Sequence, residues 1–380
     1  MKKVLLNLLA AKTGGQVTRV TSFLKIAERR DDNIHFLVLL PTKSHYKLTP
    51  SSKISIVFVD IGSGYLGTIK RFVWENAMMH SIFKDHNCDL YLSFSHYLPH
   101  FNFKDIPSVI GISNLAPFSK IAIMEEKLII RIKLFILKKL IISSMQRAKA
   151  IISLSATCTN ILSNNGIEKN KITTIRNGVD KFWAEKNNQN LKDHDSDNRF
   201  GKFMLYVSHF YRYKNHIRLL KAYNLVKNEI DESINLILIG NPSNANYFNE
   251  IKAFISDNNM EKNVFLIESQ SKDRLKEFYH NSYMVVFPSL IENSPNVLLE
   301  SMIAGKPIAS SIHEPMVEHC NDAAIYFNPL DERDMANTMI KIITDKKLQE
   351  RISHLAAIRG KEHNWDYFFN ECIKLIHKSL

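Results

Sequence analysis

Cysteine is scarce in this chain, with four in 380 residues: Cys88, Cys158, Cys320 and Cys372. They are scattered and form neither a C-x-x-C pair nor a Cys/His cluster, so a zinc site is not expected, and reduced thiols in a cytoplasmic protein fit best. Long apolar runs are also missing, and no stretch reaches the length of a clean membrane-spanning helix. The opening MKKVLLNLLAAKTGG places two lysines before an apolar run. That run is short, broken by Asn7, and ends in the turn Thr13-Gly14-Gly15, so it reads as a first core strand rather than a leader. G-x-S-x-G, H-E-x-x-H and a Walker lysine loop are all lacking. Gly14-Gly15 is not G-x-G-x-x-G, which disfavours dinucleotide binding. Asp193-His194-Asp195 falls in a polar stretch away from any strand end, so no acidic metal cluster and no metal are expected.

The length suits two or three domains with sizeable cores. The net charge of +12 points to a polyanionic partner: nucleic acid, an anionic membrane surface or a charged substrate. In the first half, strands are expected near 4–9, 36–40, 54–59, 90–94, 108–112, 151–153 and 172–175, with helices at 17–29, 65–85 and 156–163. A polar, charged stretch at 187–198, NNQNLKDHDSDN, marks a linker. In the second half, strands are expected near 203–207, 236–239, 264–267, 283–287, 307–310 and 324–327. Helices are expected at 216–227, 247–258, 272–280, 331–344, 347–361 and 365–377. Alternating strands and helices indicate doubly wound parallel sheets, whose ligands lie beyond the carboxyl ends of the strands. Gly14, Gly15, His96, Ser113 and Asn114 share the rim of the first sheet. A lone histidine such as His96 is more often structural than a base or donor.

The most informative stretch is 288–308, PSLIENSPNVLLESMIAGKPI. Ser294 stands where an N-cap belongs and Pro295 at the first helical position. The helix that follows, at about 296–304, is apolar almost all round, which normally means burial. Glu300 is its only charge, and a buried lone carboxylate is costly unless something binds it. Glu292 lies in the loop before it. A strand, a carboxylate-bearing loop and a helix N-terminus suit a phosphorylated polyhydroxy ligand: N–H groups hold phosphate, and carboxylates accept from hydroxyls. The loop 208–215, SHFYRYKN, adds His209, Arg212 and Lys214 on the rim of the second domain, and two cations there suit a diphosphate. Separately, KLIIRIKLFILKK at 127–139 carries Lys127, Arg131, Lys133, Lys138 and Lys139 among large apolar residues, with no acid. That pattern fits either an interfacial helix on an anionic membrane or a core helix whose lysines reach out to water.

Taken in order, Gly14-Gly15, Asn177-Gly178-Val179-Asp180, Lys214, Gly240, and Glu292 with Glu300 before Ala304-Gly305-Lys306-Pro307 resemble the GT4-like family of retaining glycosyltransferases (glycosyl transferases group 1) over nearly the whole chain. The resemblance implies the GT-B fold: α/β, with two Rossmann-like doubly wound parallel-sheet domains facing a central cleft. Residues 1–180 would form the acceptor-side domain, with the helix at 365–380 packing back on it. Residues 181–200 would be the linker and 201–364 the nucleotide-sugar domain. By the same resemblance Glu300 would accept from ribose hydroxyls. Glu292 and the backbone of Asn293, Ser294, Pro295, Asn296 and Val297 would hold sugar and phosphates, with His209 and Gly240 beside the donor. Lys214 and Arg212 would neutralise the diphosphate, and Gly15 would abut it. The chain departs from the family at His209, where an arginine is frequent, and at Ser113-Asn114, where a histidine is frequent. This leaves Arg212 as the substitute cation and His96 as the acceptor-side candidate.

The implied reaction is metal-independent retaining transfer of a sugar from a nucleotide diphosphate to a hydroxyl, with no cofactor. The acceptor would be a saccharide, lipid-linked or part of a surface polysaccharide, and the enzyme cytoplasmic or peripheral on the inner membrane face. Alternatives are a nucleotide-sugar epimerase of the same fold and a non-catalytic nucleic-acid-binding protein. The latter leaves Glu292 and Glu300 unexplained, so no nucleic-acid partner is expected.

Overall fold

The computed structural model describes residues 1–11, 14–44, 46, 48–62, 64–100, 103, 105–185 and 200–380. The linker stretch at 187–198, with Asp193, His194 and Asp195, and Thr13 of the first turn lie outside the described residues. The chain divides into two compact units: Met1–Phe118, Ile132–Gly178 and Asn364–Leu380 form one, and Ser119–Arg131 with Val179–His363 form the other.

The strands of the first unit are β1 (Lys2–Asn7), β2 (Ile34–Pro41), β3 (Ile54–Val59), β4 (Leu90–Ser93), β5 (Ser108–Gly111), β6 (Ala150–Ser153) and β7 (Ile172–Thr174). They pair in parallel in the order β3-β2-β1-β4-β5-β6-β7. Most of their residues are buried on both faces, which is why they read as nearly unbroken apolar runs. The helices up to the end of β7 are α1 (Gly15–Arg29), α2 (Gly64–Asp85), α3 (Lys120–Met124), α4 (Leu128–Arg147) and α5 (Ala156–Ser163). The segment holding α3 and the first turn of α4 groups with the second unit rather than with its sequence neighbours.

The second unit has β8 (Phe203–Val207), β9 (Asn235–Ile239), β10 (Val264–Ile267), β11 (Met284–Phe287), β12 (Ile308–Ser311) and β13 (Ile325–Phe327), parallel in the order β10-β9-β8-β11-β12-β13. Around them lie α6 (His216–Glu229), α7 (Ala245–Asp257), α8 (Lys272–Asn281), α9 (Asn296–Ile303), α10 (Met316–Cys320), α11 (Glu332–Thr344) and α12 (Lys346–Lys361).

The last helix, α13 (Trp365–Ser379), returns to the first unit and covers its sheet beside α1. Phe369 lies 5.0 Å from Phe23, and Phe368 lies 5.8 Å from Phe94, between ring centroids. The chain leaves this unit at Gly178 and re-enters at Asn364, and the two crossing points touch. A Cβ on Gly178 would sit 2.3 Å from the Trp365 nitrogen, so only glycine fits. Next to it the Asn177 side-chain oxygen accepts from the buried Arg19 Nε at 2.8 Å. The first residues of the expected linker are core instead: Trp183 is buried, with its ring 5.7 Å from Tyr279.

In each sheet the strand order reverses once, between β1 and β4 and between β8 and β11. The loops leaving the carboxyl ends of those strands bound the crevice where doubly wound sheets take ligands. In the second unit these are the loop after Val207 and the loop after Phe287.

Candidate functional site

Those two loops of the second unit are fastened to each other. The Leu290 N–H donates to the Tyr213 carbonyl at 2.8 Å. Asn215, at φ 67°, donates through Nδ2 to the carbonyls of Pro288 (3.1 Å) and Pro329 (2.7 Å). The buried Tyr206 hydroxyl donates to the Lys214 carbonyl at 2.9 Å and lies 3.1 Å from Ser289 Oγ. This clamp brings Lys214 Nζ within 2.5 Å of Glu292 Oε1, across 78 positions of sequence, with both side chains mostly buried. The two residues expected at the donor phosphates and sugar are therefore joined as an ion pair.

Glu300 projects from α9 into the interior and is 8 % exposed. Its Oε2 accepts from the Tyr279 hydroxyl at 3.1 Å. Burial pushes its carboxyl up to about 7, against the weaker pull of the Tyr279 hydrogen bond and of Lys272. The carboxyl therefore changes charge near neutral pH. Sequence placed the cap of this helix one residue too early. Pro295 has ψ 106° and is itself the cap, and α9 begins at Asn296. The Leu298 and Leu299 N–H groups both reach the Pro295 carbonyl. Val297 and Asn296 lie at that end, Asn293 is buried and Ser294 half-buried.

Arg212 is not poised as expected. Its guanidinium is paired with Glu250 and lies 5.1 Å from the Tyr247 ring centre, because α7 presents both residues to the loop after β8. His209 is half-buried; burial and then Lys214 hold its imidazole below the ordinary range. Gly240 has a packing reason of its own. A Cβ there would stand 1.8 Å from the Ser208 carbonyl oxygen, so this glycine lets the loop after β8 close over the end of β9.

In the first unit, Gly14 caps α1 at φ 68°, ψ −151°, a region essentially open only to glycine. Gly15 is the first residue of α1. The rim beside them is a buried polar network. Asn7, at the end of β1, donates to Glu75 Oε1 at 2.8 Å and to the Tyr91 hydroxyl at 2.9 Å, and accepts from the Leu9 N–H. Burial raises the Glu75 carboxyl, opposed by Arg71, whose Nε lies 3.5 Å from Glu75 Oε2. His96 lies near this network, drawn down to about 4 by burial and then by Arg71, so it is neutral at pH 7. The Asn114 side chain is committed locally, accepting from the Ala116 N–H at 2.8 Å. Ser113 is half-buried beside it.

A family model described as glycosyl transferases group 1 matches residues 174–358. That stretch is similar to group 1 glycosyltransferases. The O-antigen chain mannosyltransferase RfbU of Salmonella typhimurium (strain LT2) is 24 % identical over 204 residues, 52 % of each chain, so the alignment spans about half the length of that relative. Among solved structures, WaaG, a glycosyltransferase involved in lipopolysaccharide biosynthesis, superposes with a TM-score of 0.77 at 15 % identity, over 98 % of this chain and 99 % of that one. Anabaena Alr3699/HepE, in complex with UDP and glucose, gives 0.75 at 16 % identity over 99 % of both chains. These likenesses show the fold, which is that of GT-B glycosyltransferases.

The matched stretch contains Lys214, Glu292 and Glu300, and its geometry adds residues that sequence did not single out. Tyr206 and Asn215 hold the Lys214 loop, and Tyr279 holds Glu300. Asn215 had a readable signal, an asparagine just before a helix; the two tyrosines had none. In the first unit Asn7 was read only as a break in an apolar run, and Glu75 and Arg71 were not singled out within the helix expected at 65–85.

Proposed function

We propose that this protein is a retaining glycosyltransferase, moving a sugar from a nucleoside diphosphate to a hydroxyl of a saccharide acceptor. The observation that carries the reading is the Lys214–Glu292 pair, clamped at the switch point of the second unit with Glu300 on the following helix. When a donor binds, its diphosphate takes Lys214 as counter-ion, and Glu292 is released to accept from the sugar hydroxyls. Glu300 accepts from the ribose hydroxyls in its ionised form. The N–H groups opening α9 lie against phosphate. Negative charge grows on the leaving diphosphate as the sugar–phosphate bond loosens, and Lys214 and those N–H groups stabilise it where it forms. The acceptor hydroxyl attacks from the same face and gives its proton to the departing phosphate.

Lys214 and the helix end supply the positive charge, so we propose that neither a metal nor a cofactor takes part. The acceptor we propose is a lipid-linked intermediate of a surface polysaccharide, worked on at the cytoplasmic face of the membrane. The names of RfbU and WaaG, which concern O-antigen and lipopolysaccharide, support that choice, as does the basic charge of the chain. The test is a thermal-shift panel of UDP-, GDP- and dTDP-sugars, followed by NMR of the anomeric centre in the product. The reading expects one donor class to raise the melting temperature and the product to keep the donor's anomeric configuration. An inverted product would exclude the retaining mechanism, and no response to any nucleotide sugar would exclude the function.

A further inference from the structure

Among the described residues, little covers the apolar first half of α4. Residues 128–140 include nine large apolar side chains, Leu128, Ile129, Ile130, Ile132, Leu134, Phe135, Ile136, Leu137 and Leu140, and not one of the thirteen is buried. The helix first enters the core at Ile141. Leu128 (72 %), Ile129 (61 %), Ile132 (48 %), Phe135 (57 %) and Ile136 (53 %) are the most exposed. Their spacing of three and four puts them on one stripe. α2 repeats the pattern with Leu66, Ile69, Phe72 and Val73, all exposed.

The β3–α2–β4 and β5–α4–β6 connections step the same way along the sheet, so right-handed crossovers put both helices on one face, opposite α1. One loop ties them together on that face. The His100 N–H donates to Asn76 of α2 at 2.8 Å, and Arg147 of α4 donates to the Leu98 and Pro99 carbonyls. Exposed apolar surface gathered in this way marks an interaction site.

Charge selects the occupant. α4 has Arg131, Lys133, Lys138, Lys139 and Arg147, Lys127 precedes it, and it contains no acid. Lys133 lies to one side of the apolar stripe and Lys138 to the other, the arrangement of a helix lying in a lipid headgroup layer. The cation reading from sequence needs one correction. Arg131 is exposed, but its guanidinium is committed locally, donating to the Glu126 and Met124 carbonyls at 2.7 and 2.6 Å. We propose that the face of the first unit formed by α2 and by α4 from Ile132 onward docks on an anionic lipid bilayer, with Ile132, Phe135 and Ile136 inserted among the acyl chains and Lys133, Lys138 and Lys139 at the headgroups. The proposal names the partner surface for the membrane-linked reading above but does not depend on the chemistry of the donor site.

The experiment is co-sedimentation of the full chain with phosphatidylcholine vesicles, with and without phosphatidylglycerol. Wild type should pellet with the anionic vesicles and much less with the neutral ones. The triple variant Ile132→Ser, Phe135→Ser, Ile136→Ser should lose binding by more than about tenfold, and each of Lys133→Gln and Lys139→Gln should weaken it by about fivefold. Phe135→Trp should show a blue-shifted emission on adding anionic vesicles. Melting temperature and nucleotide binding should stay at wild-type values in every variant, which separates loss of docking from misfolding and from failure of the transferase reading. Three results would overturn the proposal. One is wild type that stays in the supernatant. Another is a serine variant that pellets like wild type. The third is a wild-type dimer on size exclusion that the same serines convert to monomer, which would assign the face to a second copy of this chain.

Discussion

α9 and α4 are both apolar on nearly every side, and the protein treats them in opposite ways. α9 (NVLLESMI) buries six of its eight residues, Glu300 among them. The first thirteen residues of α4 bury none. Each helix also carries charge where an ordinary core helix would not, and the kind of charge differs. α9 has a single carboxylate directed inward against a tyrosine. The exposed half of α4 has only cations. Apolar composition therefore says that a helix needs an apolar neighbour but not whether the neighbour belongs to the same fold. The sign and placement of the charges carry that second piece of information.

The sharpest way to break this comparison is to shorten one side chain in each helix. Leu298→Ala in α9 removes a fully buried side chain and should cost about 3 kcal/mol of stability. Phe135→Ala in α4 should change stability by no more than about 0.5 kcal/mol. Urea unfolding of both variants decides the matter: a large loss from Phe135→Ala would mean that the α4 stripe is covered in the native protein.

Glu300 sharpens the α9 half of the comparison through pH. Its folded carboxyl is raised from 4.5 to about 7, so between those values the native state holds a proton that the unfolded chain has lost. The contribution of this residue is complete below pH 4.5 and is lost as pH rises to about 7, a change on the order of 3 kcal/mol. His96 and His216, drawn down to about 4 and about 3, act in the opposite sense, so the measurement is a difference. Stability of wild type relative to Glu300→Gln should fall from pH 4.5 to 7 and then level off. Nucleotide affinity should do the reverse, strengthening as pH rises through 7 in wild type and staying flat in the variant, if the ionised carboxylate accepts from ribose. A pH-independent affinity in wild type would remove Glu300 from the nucleotide.

Lys214→Met comes next. Turnover should fall by about a hundredfold, the usual cost of losing a charge-stabilising donor, while donor affinity falls less, because charge on the leaving phosphate grows only in the transition state. Equal losses would make Lys214 a ground-state anchor. Leaving Glu292 without its partner carries a stability cost of its own, and Lys214→Met with Glu292→Gln measures it.

Much of this was legible in sequence, for physical reasons that differ from place to place. Parallel strands buried on both faces write themselves as apolar runs, so the two sheets could be read without structure. Glu292 and Glu300 were legible because a carboxylate on an all-apolar helix, or in the loop before it, is conspicuous. The clamp around Lys214 was not legible. Tyr206 does its work from inside a strand where it looks like any core aromatic, and the Asn215 contacts reach carbonyls 73 and 114 residues away. The Asn7–Glu75–Tyr91 network was hidden for the same reason, since a buried carboxylate on α2 has the letter of a surface one. Arg131 misled in the other direction: a cation in a basic run turned out to be a local cap.

Arg212 gives the smallest expected effect and the closest control on Lys214. Sequence put the two cations side by side on the rim, two residues apart, as joint partners of the diphosphate. In the structure they point to different partners. Lys214 is held by Glu292, within the loop expected to bind the donor, whereas Arg212 is held by Glu250 and stacked near Tyr247 on α7. A donor that draws Lys214 away from Glu292 releases a carboxylate able to accept from sugar hydroxyls, so one contact is exchanged for two. Drawing Arg212 away would strand Glu250, whose side chain is 43 % exposed and can be rehydrated, but it would also undo the packing on Tyr247. Arg212→Met should therefore lower turnover only about threefold to fivefold, the size expected of a partly screened charge near the site rather than in it. Steady-state kinetics of Arg212→Met beside Lys214→Met tests this directly. A loss as large as that of the lysine variant would show that Arg212 leaves Glu250 during the reaction and joins Lys214 on the leaving phosphate.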